Sequence, residues 1–282
     1  MKDGLVSIDG PSGKRSERMV AILAALSEHG HLQLQQLATM LEASPATIRR
    51  DVAALAERGL LVRSHGGARP VAQSSELPVA LRDGHQRAAK QAIASVVAGL
   101  LPAGKHAIAL TGGTTTAEVL RALHHRHDLT IITNSVGLAL EAAQQGQSRV
   151  LITGGILRST SLELVGSLAE ATFGQINVGT AIVGCDGISS RGGVTTHDEI
   201  EAHTNHTMVA RAQRVVAVAD GSKVGRVTLA RLADLDQVDV LVTDSSADAE
   251  QLDLIRARGV DVRVVPATAP SVHAEHTAPT GH

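Results

Sequence analysis

The chain has 282 residues, with 26 Lys and Arg against 28 Asp and Glu and a formal net charge of −2. That length allows two domains with separate cores, and so even a charge balance is weak evidence for a nucleic-acid partner. One cysteine, Cys185, excludes an internal disulfide framework. A single Phe with no Tyr or Trp excludes a base-stacking platform for single strands. No apolar run reaches transmembrane length and no signal peptide is visible, so the expectation is a cytoplasmic protein with no membrane partner.

Residues 1–14 are polar, without period, and read as a flexible arm. Within them Gly10-Pro11-Ser12-Gly13-Lys14 has some look of a phosphate loop, but it lacks the preceding strand and the full spacing. The segment 15–70 reads as three helices and a wing. Met19, Ile22, Leu23 and Leu26 keep helical spacing, and His29-Gly30 ends that helix. Leu34, Leu37, Ala38 and Leu41 form a second apolar face, separated by only two residues from Ser44.

Ser44 is an N-cap and Pro45 falls at the first helical position. Ile48, Val52 and Leu55 then make one apolar stripe. At about 100° per residue, Arg50 points away from that stripe, with Ala46 and Ala53 beside it and Thr47 and Arg49 on the flanks. Small residues and arginines on an exposed face suit a helix lying in a DNA major groove. Gly59 stops the helix, 60–63 reads as a strand, and 64–69 as a basic turn with Arg63, His65 and Arg69 placed for phosphates. A plain three-helix module binding protein is the competing reading of the unit. Residues 1–70 carry nine Lys and Arg against seven Asp and Glu, which favours DNA only mildly.

The stretch LATMLEASPATIRRDVAALAERGLLVRSHGGA closely resembles the DNA-binding domain of the DeoR family of bacterial transcriptional regulators. The resemblance rests on T-I-R-R-D followed by R-x-H-G-G-A, and it implies a winged helix-turn-helix binding operator DNA. Val52 stands where that family usually has leucine.

Residues 71–84 are Pro- and Ser-containing with little periodicity and read as a linker. From 85 to 265 a helix opens an alternation of strand-length apolar runs with helices. The strands are expected at 106–110, 129–133, 149–153, 178–184, 215–219, 238–243 and 260–265. The intervening helices are expected at 117–124, 136–145, 199–212 and 249–258. This is an α/β domain with a mainly parallel sheet, whose ligands belong at the carboxyl ends of the strands.

Those ends carry polar and glycine-rich turns. They hold Thr111 with Gly112, Gly113, Thr114, Thr115 and Thr116; Asn134 and Ser135; Gly154 and Gly155; Cys185 and Asp186; Gly192 through Asp198, including Thr195; and Asp220 through Lys223. Glycine approach and a helix N-terminus suit a phosphate, although each turn taken singly reads as an ordinary β-to-α connection. Cys185 reads as a small buried filler. The histidines at 124, 125 and 127 give no metal site, and no cofactor is expected.

The marks GGTTT, TNS, GCDGI, GGVTT with EA, and DGSKVG resemble the DeoR sensor domain and, more distantly, ribose-5-phosphate isomerase. The resemblance implies a phosphorylated sugar effector. Gly112 to Thr116 would hold its phosphate, with Asn134, Ser135, Asp186, Asp198, Glu201 and Lys223 around the sugar. Thr111 stands where the family commonly has aspartate. The chain lacks the isomerase-type D-G-A-D-E and K-G-G-G runs, so a regulator is expected: a DNA-binding repressor of sugar-metabolism genes, working as a homo-oligomer. A sugar-phosphate isomerase-like enzyme with a helical appendage is the alternative. Residues 266–282, rich in Ala, Pro, Thr and His, are expected to be a disordered tail.

Overall fold

The computed structural model describes residues 13–71, 76–82, 86–146 and 149–267. Most of the arm, part of the linker and nearly all of the tail therefore lie outside the described residues.

The amino-terminal unit contains α1 (Gly13–His29), β1 (Leu32–Gln33), α2 (Leu34–Met40), α3 (Pro45–Glu57), β2 (Leu61–Ser64) and β3 (Gly67–Pro70). Ser44 caps α3 as its sequence implies, its hydroxyl accepting the Thr47 N–H at 3.2 Å, with Pro45 opening the helix. Ile48, Val52 and Leu55 are fully buried with Met19, Ile22, Leu26 and Leu37 in one core. β2 and β3 form an antiparallel hairpin, and β1 adds to the outer side of β3. Two expectations need correction. The basic stretch after β2 is not one long turn: only His65-Gly66 turn, and Gly67-Ala68-Arg69 are strand. Nor did periodicity reveal β1, which has two residues. Gly67 is obligatory there, because a Cβ would collide with the Leu32 carbonyl of β1.

The expected linker contains a short helix, α4 (Val79–Arg82). Its Leu81 is completely buried in the core of the amino-terminal unit, and α4 packs on α1. The Val79 N–H donates to the Thr160 carbonyl of the second unit at 2.9 Å, so α4 is attached on both sides.

The second unit opens with α5 (Arg87–Leu100) and β4 (His106–Leu110), then α6 (Thr114–Ala122), β5 (Leu129–Thr133), α7 (Val136–Gln144) and β6 (Arg149–Ile152). A hairpin, β7 (Ile156–Arg158) with β8 (Glu163–Val165), and α8 (Ser167–Gly174) follow. Next come β9 (Thr180–Gly184), β10 (Gly187–Ser189), β11 (Gly193–Thr196), α9 (Glu199–Val209), β12 (Val215–Val218) and β13 (Ala230–Ala233). The unit closes with β14 (Val240–Asp244), α10 (Ala249–Arg256) and β15 (Asp261–Val265). Seven strands form one wholly parallel sheet in the order β15-β14-β12-β9-β4-β5-β6. β12 and β14 are buried along their whole length, as continuous Val-rich runs require when both faces are covered. One apolar core lies around Phe173, Val183, Ala217 and Leu241, and another around Ile93, Ile108, Leu120 and Val216.

From β4 the chain moves outward to β5 and β6, then returns to the other side of β4 with β9 and continues to β15. The direction of winding thus reverses between β4 and β9, and a crevice opens outside their carboxyl ends. The β7–β8 hairpin and a small antiparallel sheet, β10-β11-β13, stand beside it as additions to the alternating pattern. No helix among the described residues is long and apolar enough to cross a membrane.

Candidate DNA-binding face and ligand cavity

The side of α3 opposite its buried stripe is open. Ser44, Pro45, Ala46, Arg49 and Arg50 are exposed and Thr47 is half-buried. Arg50 does not fold back onto the second unit; its Nε lies 3.3 Å from the Ala46 carbonyl of its own helix. Thr47 Oγ1 is 2.8 Å from Ser44 Oγ, so both hydroxyls serve the cap while facing outward. Arg63, His65 and Arg69 are exposed on the hairpin. Asp51, which shares the T-I-R-R-D run, points inward instead. It is only 2% exposed and accepts from Arg15 Nε at 3.0 Å and Arg18 Nε at 2.7 Å, fastening α3 to α1. Sequence reasoning assigned it no role, although a carboxylate three residues beyond Ile48 and one before Val52 is a charge at the edge of an apolar stripe.

A cavity of about 190 Å³ opens at the switch between β4 and β9. Thr111, Gly112 and Gly113 lead from β4 into α6, which begins at Thr114, three residues earlier than periodicity suggested. Thr114 and Thr115 are therefore first-turn residues, and the first bond of α6 runs from the Ala117 N–H to the Gly113 carbonyl at 3.1 Å. The preceding N–H groups and the positive end of the helix face the cavity region, a natural setting for an oxyanion. Thr111 joins the two strand ends: its hydroxyl accepts the Gly184 N–H at 2.9 Å and reaches the Gly112 carbonyl at 3.3 Å. A neutral hydroxyl thus stands where an aspartate would add a negative charge.

Across the cavity Asp186 receives Arg82 Nη1 at 2.8 Å, and Lys223 Nζ lies 3.8 Å away. Burial alone would raise the Asp186 carboxyl, but Arg82 and Lys223 outweigh it and hold the group below the usual carboxylate range. Thr196 Oγ1 sits 2.7 Å from Glu201 Oε1 and 3.2 Å from Asp186 Oδ2, spacing the two carboxylates. Glu201 is also paired with Arg158 Nη1 at 3.1 Å. Glu163, from β8, enters from the third side and is buried. Its Oε1 accepts the Gly112 N–H and its Oε2 faces Asn205 Nδ2 at 3.4 Å. Burial, reinforced by the charge of Glu201, pushes the Glu163 carboxyl well above its usual range. Cys185 lies on the same wall; burial and the Asp186 charge push its thiol up to about 12, so it stands there as a neutral thiol and not as a nucleophile.

Of the ligand residues expected from sequence, Gly112, Gly113, Thr114, Thr115, Asp186, Glu201 and Lys223 line this cavity. The others stand apart from it. Thr116 is buried and donates to the Gly113 carbonyl at 2.9 Å. Asn134 is buried and donates to Asn205 at 3.0 Å, one step behind Glu163. Ser135 caps α7. Gly154 and Gly155 lead from β6 into the β7–β8 hairpin. Thr195 bonds the Gly187 carbonyl within the small sheet. Asp198 caps α9 and pairs with Arg158 at 3.1 Å. None of these seven lines the cavity.

The charged lining residues missed from sequence are Glu163, Arg82, Lys90 and Arg226. Arg82 was hidden because its segment lacks period. Lys90 left a signal: it is a cation on the same stripe of α5 as Ile93, Ala94 and Val97, buried with them, its Nζ donating to the Arg82 carbonyl at 2.9 Å. Among the described residues no cluster of His, Cys, Asp and Glu could hold a metal ion.

Comparison with known proteins bears on both faces. Residues 18–74 match the family model described as a DeoR-like helix-turn-helix domain, and residues 85–245 that of the DeoR C-terminal sensor domain. The chain is 35% identical over 248 residues to the HTH-type transcriptional regulator GlpR of Haloferax volcanii, covering 88% of this chain and 96% of that protein. It is 31% identical over 232 residues to the glycerol-3-phosphate regulon repressor of Escherichia coli K12, covering 82% and 92%. It is 36% identical over 231 residues to the transcriptional repressor AccR of Agrobacterium fabrum, covering 81% and 89%. Among solved structures, ribose 5-phosphate isomerase A from Methanocaldococcus jannaschii matches with a TM-score of 0.36 and 17% identity, over 48% of this chain and 52% of that one.

Proposed function

The chain belongs to the DeoR family of DNA-binding transcriptional regulators, not to an enzyme family, and on that premise we propose that it is an operator-binding repressor controlled by a phosphorylated sugar or polyol. In this reading α3 enters the major groove, with Arg49 and Arg50 toward phosphates and guanine edges and Ser44, Pro45 and Thr47 at the leading end. Arg63, His65 and Arg69 on the hairpin reach the flanking backbone. Two copies of the chain read two half-sites, since one recognition helix contacts only a few base pairs.

The observation carrying the effector half is the meeting of opposite chemistries in one cavity. The α6 N-terminus with Lys223 and Arg82 suits an oxyanion, while Asp186 and Glu201 suit hydroxyl donors. A phosphate ester of a polyhydroxy compound has both. Gly112, Gly113, Thr114 and Thr115 would surround the phosphate, with the carboxylates around the carbon chain. The glycerol-3-phosphate regulon named for one relative makes glycerol 3-phosphate a sensible first probe. Calorimetry on the full chain with glycerol 3-phosphate, ribose 5-phosphate, glycerol and ribose tests the reading. Binding of a phosphate ester, with the parent alcohol at least tenfold weaker, is expected; equal binding of ester and parent would remove the phosphate from the account.

A further inference from the structure

Arg82 belongs to both units at once. The residue before it, Leu81, is completely buried among Met19, Ile22 and Leu55 in the DNA-binding core. Arg82 itself turns the other way and lines the ligand cavity, where Val20 of α1 also contributes. Its Nη1 is taken by Asp186 at 2.8 Å, whereas its Nη2 has only a long ion pair to Glu76 at 3.7 Å. Its Nε is buried and has no acceptor among the described residues.

A guanidinium presents Nε and one Nη as a fork matched to two oxygens of a phosphate or carboxylate. On that edge Nε lacks an acceptor and Nη2 has only the long pair to Glu76. A buried donor without an acceptor is costly, and a small turn of the guanidinium toward the cavity that Arg82 lines would bring Nε to a ligand oxygen. We infer that Arg82 is the ligand contact through which occupancy of the cavity reaches the DNA-binding unit. This rests on the proposed reading of the cavity as a site for an oxyanion-bearing ligand.

An oxyanion engaging the Nε–Nη2 edge displaces Glu76 from Nη2, while Asp186 keeps Nη1. α4 has four residues and carries Leu81 rigidly beside Arg82, so a shift of the side chain toward the ligand pulls on the core contact with α1. Through Asp51, α1 is tied to α3. The ligand thereby favours one placement of α1 and α3 over another, which is the differential affinity any effector needs.

The test is hydrogen exchange on the full chain with glycerol 3-phosphate and ribose 5-phosphate, alongside anisotropy titrations of duplex DNA from its own upstream region. In the wild type a probe should alter exchange at the β4–α6 junction, in α4 and in α1, and should change duplex affinity at least tenfold. Arg82→Gln should bind the probe more weakly, so its probe concentration is raised to saturation as read by calorimetry; the junction should then respond, while the α1 response and the change in duplex affinity disappear. Arg82→Lys, which keeps the charge beside Asp186 but loses the fork, should show the same uncoupling if Arg82→Gln proves unstable. Retention of the α1 response and the duplex response in a folded Arg82 variant would overturn the inference and leave the cavity reading intact. Absence of any effect of either probe at the wild-type junction would overturn the cavity reading and the inference with it.

Discussion

Arg50 and Arg63 are both exposed cations, yet their surroundings assign them different work. Arg50 projects from a helix face bordered by Ala46 and Ala53, where close approach to base edges is possible; Arg63 sits on a hairpin beside the groove. Arg50→Ala should cost about 1–3 kcal/mol on the specific duplex and little on unrelated DNA. Arg63→Ala should weaken all duplexes alike and reduce the salt slope by about one. Titrations at several salt concentrations measure both. Glu163 gives a prediction of another kind. Its folded carboxyl binds its proton more tightly than the unfolded one, so the folded state holds more protons as pH rises above the unfolded value, roughly 4.3. Its contribution to stability is complete below that pH and is lost as pH climbs through the raised folded value. Denaturant melts of the wild type should therefore show stability falling above about pH 4.3, and Glu163→Gln should flatten that fall; an unchanged pH profile would contradict this assignment.

At the scale of elements, what was legible followed from how strongly each segment is constrained locally. β4 and β5 have the bounds their apolar runs suggest, because a turn closes each end and both faces are buried. α3 was fixed by a cap, a proline and a stripe that agree. The β7–β8 hairpin was not legible: 156–165 mixes Ile156, Leu157, Ser161 and Leu164 without clean alternation, since the hairpin is exposed along much of one strand. With it went Glu163, whose role depends on a fold-back of some fifty residues onto Gly112. α4 was equally silent, because four residues cannot show a period and the meaning of Leu81 and Arg82 lies in two different neighbours. The polar turns fall at the sheet edge where the cavity opens, but residue type did not separate those that line it from those that do not. Gly112 joins the two groups. A Cβ there would lie 2.7 Å from the Glu163 side chain. Gly112→Ala should therefore push Glu163 into the cavity, costing about 1–3 kcal/mol of stability and weakening phosphate-ester binding at least tenfold by calorimetry. Duplex affinity without ligand should be retained.

In the molecule as a whole, a face with five exposed arginines or histidines on α3 and the hairpin, and a cavity at the sheet switch point, are joined by a short helix anchored in both units. The buried Asp51 makes the joint stiff on the DNA side: Asp51→Ala should lower unfolding stability by about 1–3 kcal/mol and blunt the effect of ligand on DNA, because α3 then no longer follows α1. Thermal melts and duplex titrations read the two effects separately. Should ligand sensitivity persist undiminished in that variant, force would have to pass by another route. The most direct test of the central claim, that the cavity governs the arginine-bearing face, is the affinity of the full chain for its upstream duplex at one fixed salt concentration, with and without a phosphate ester that calorimetry has shown to bind. The account predicts a change of at least tenfold with the ester and none with its parent alcohol. An ester that occupies the cavity and leaves duplex affinity unaltered would contradict it.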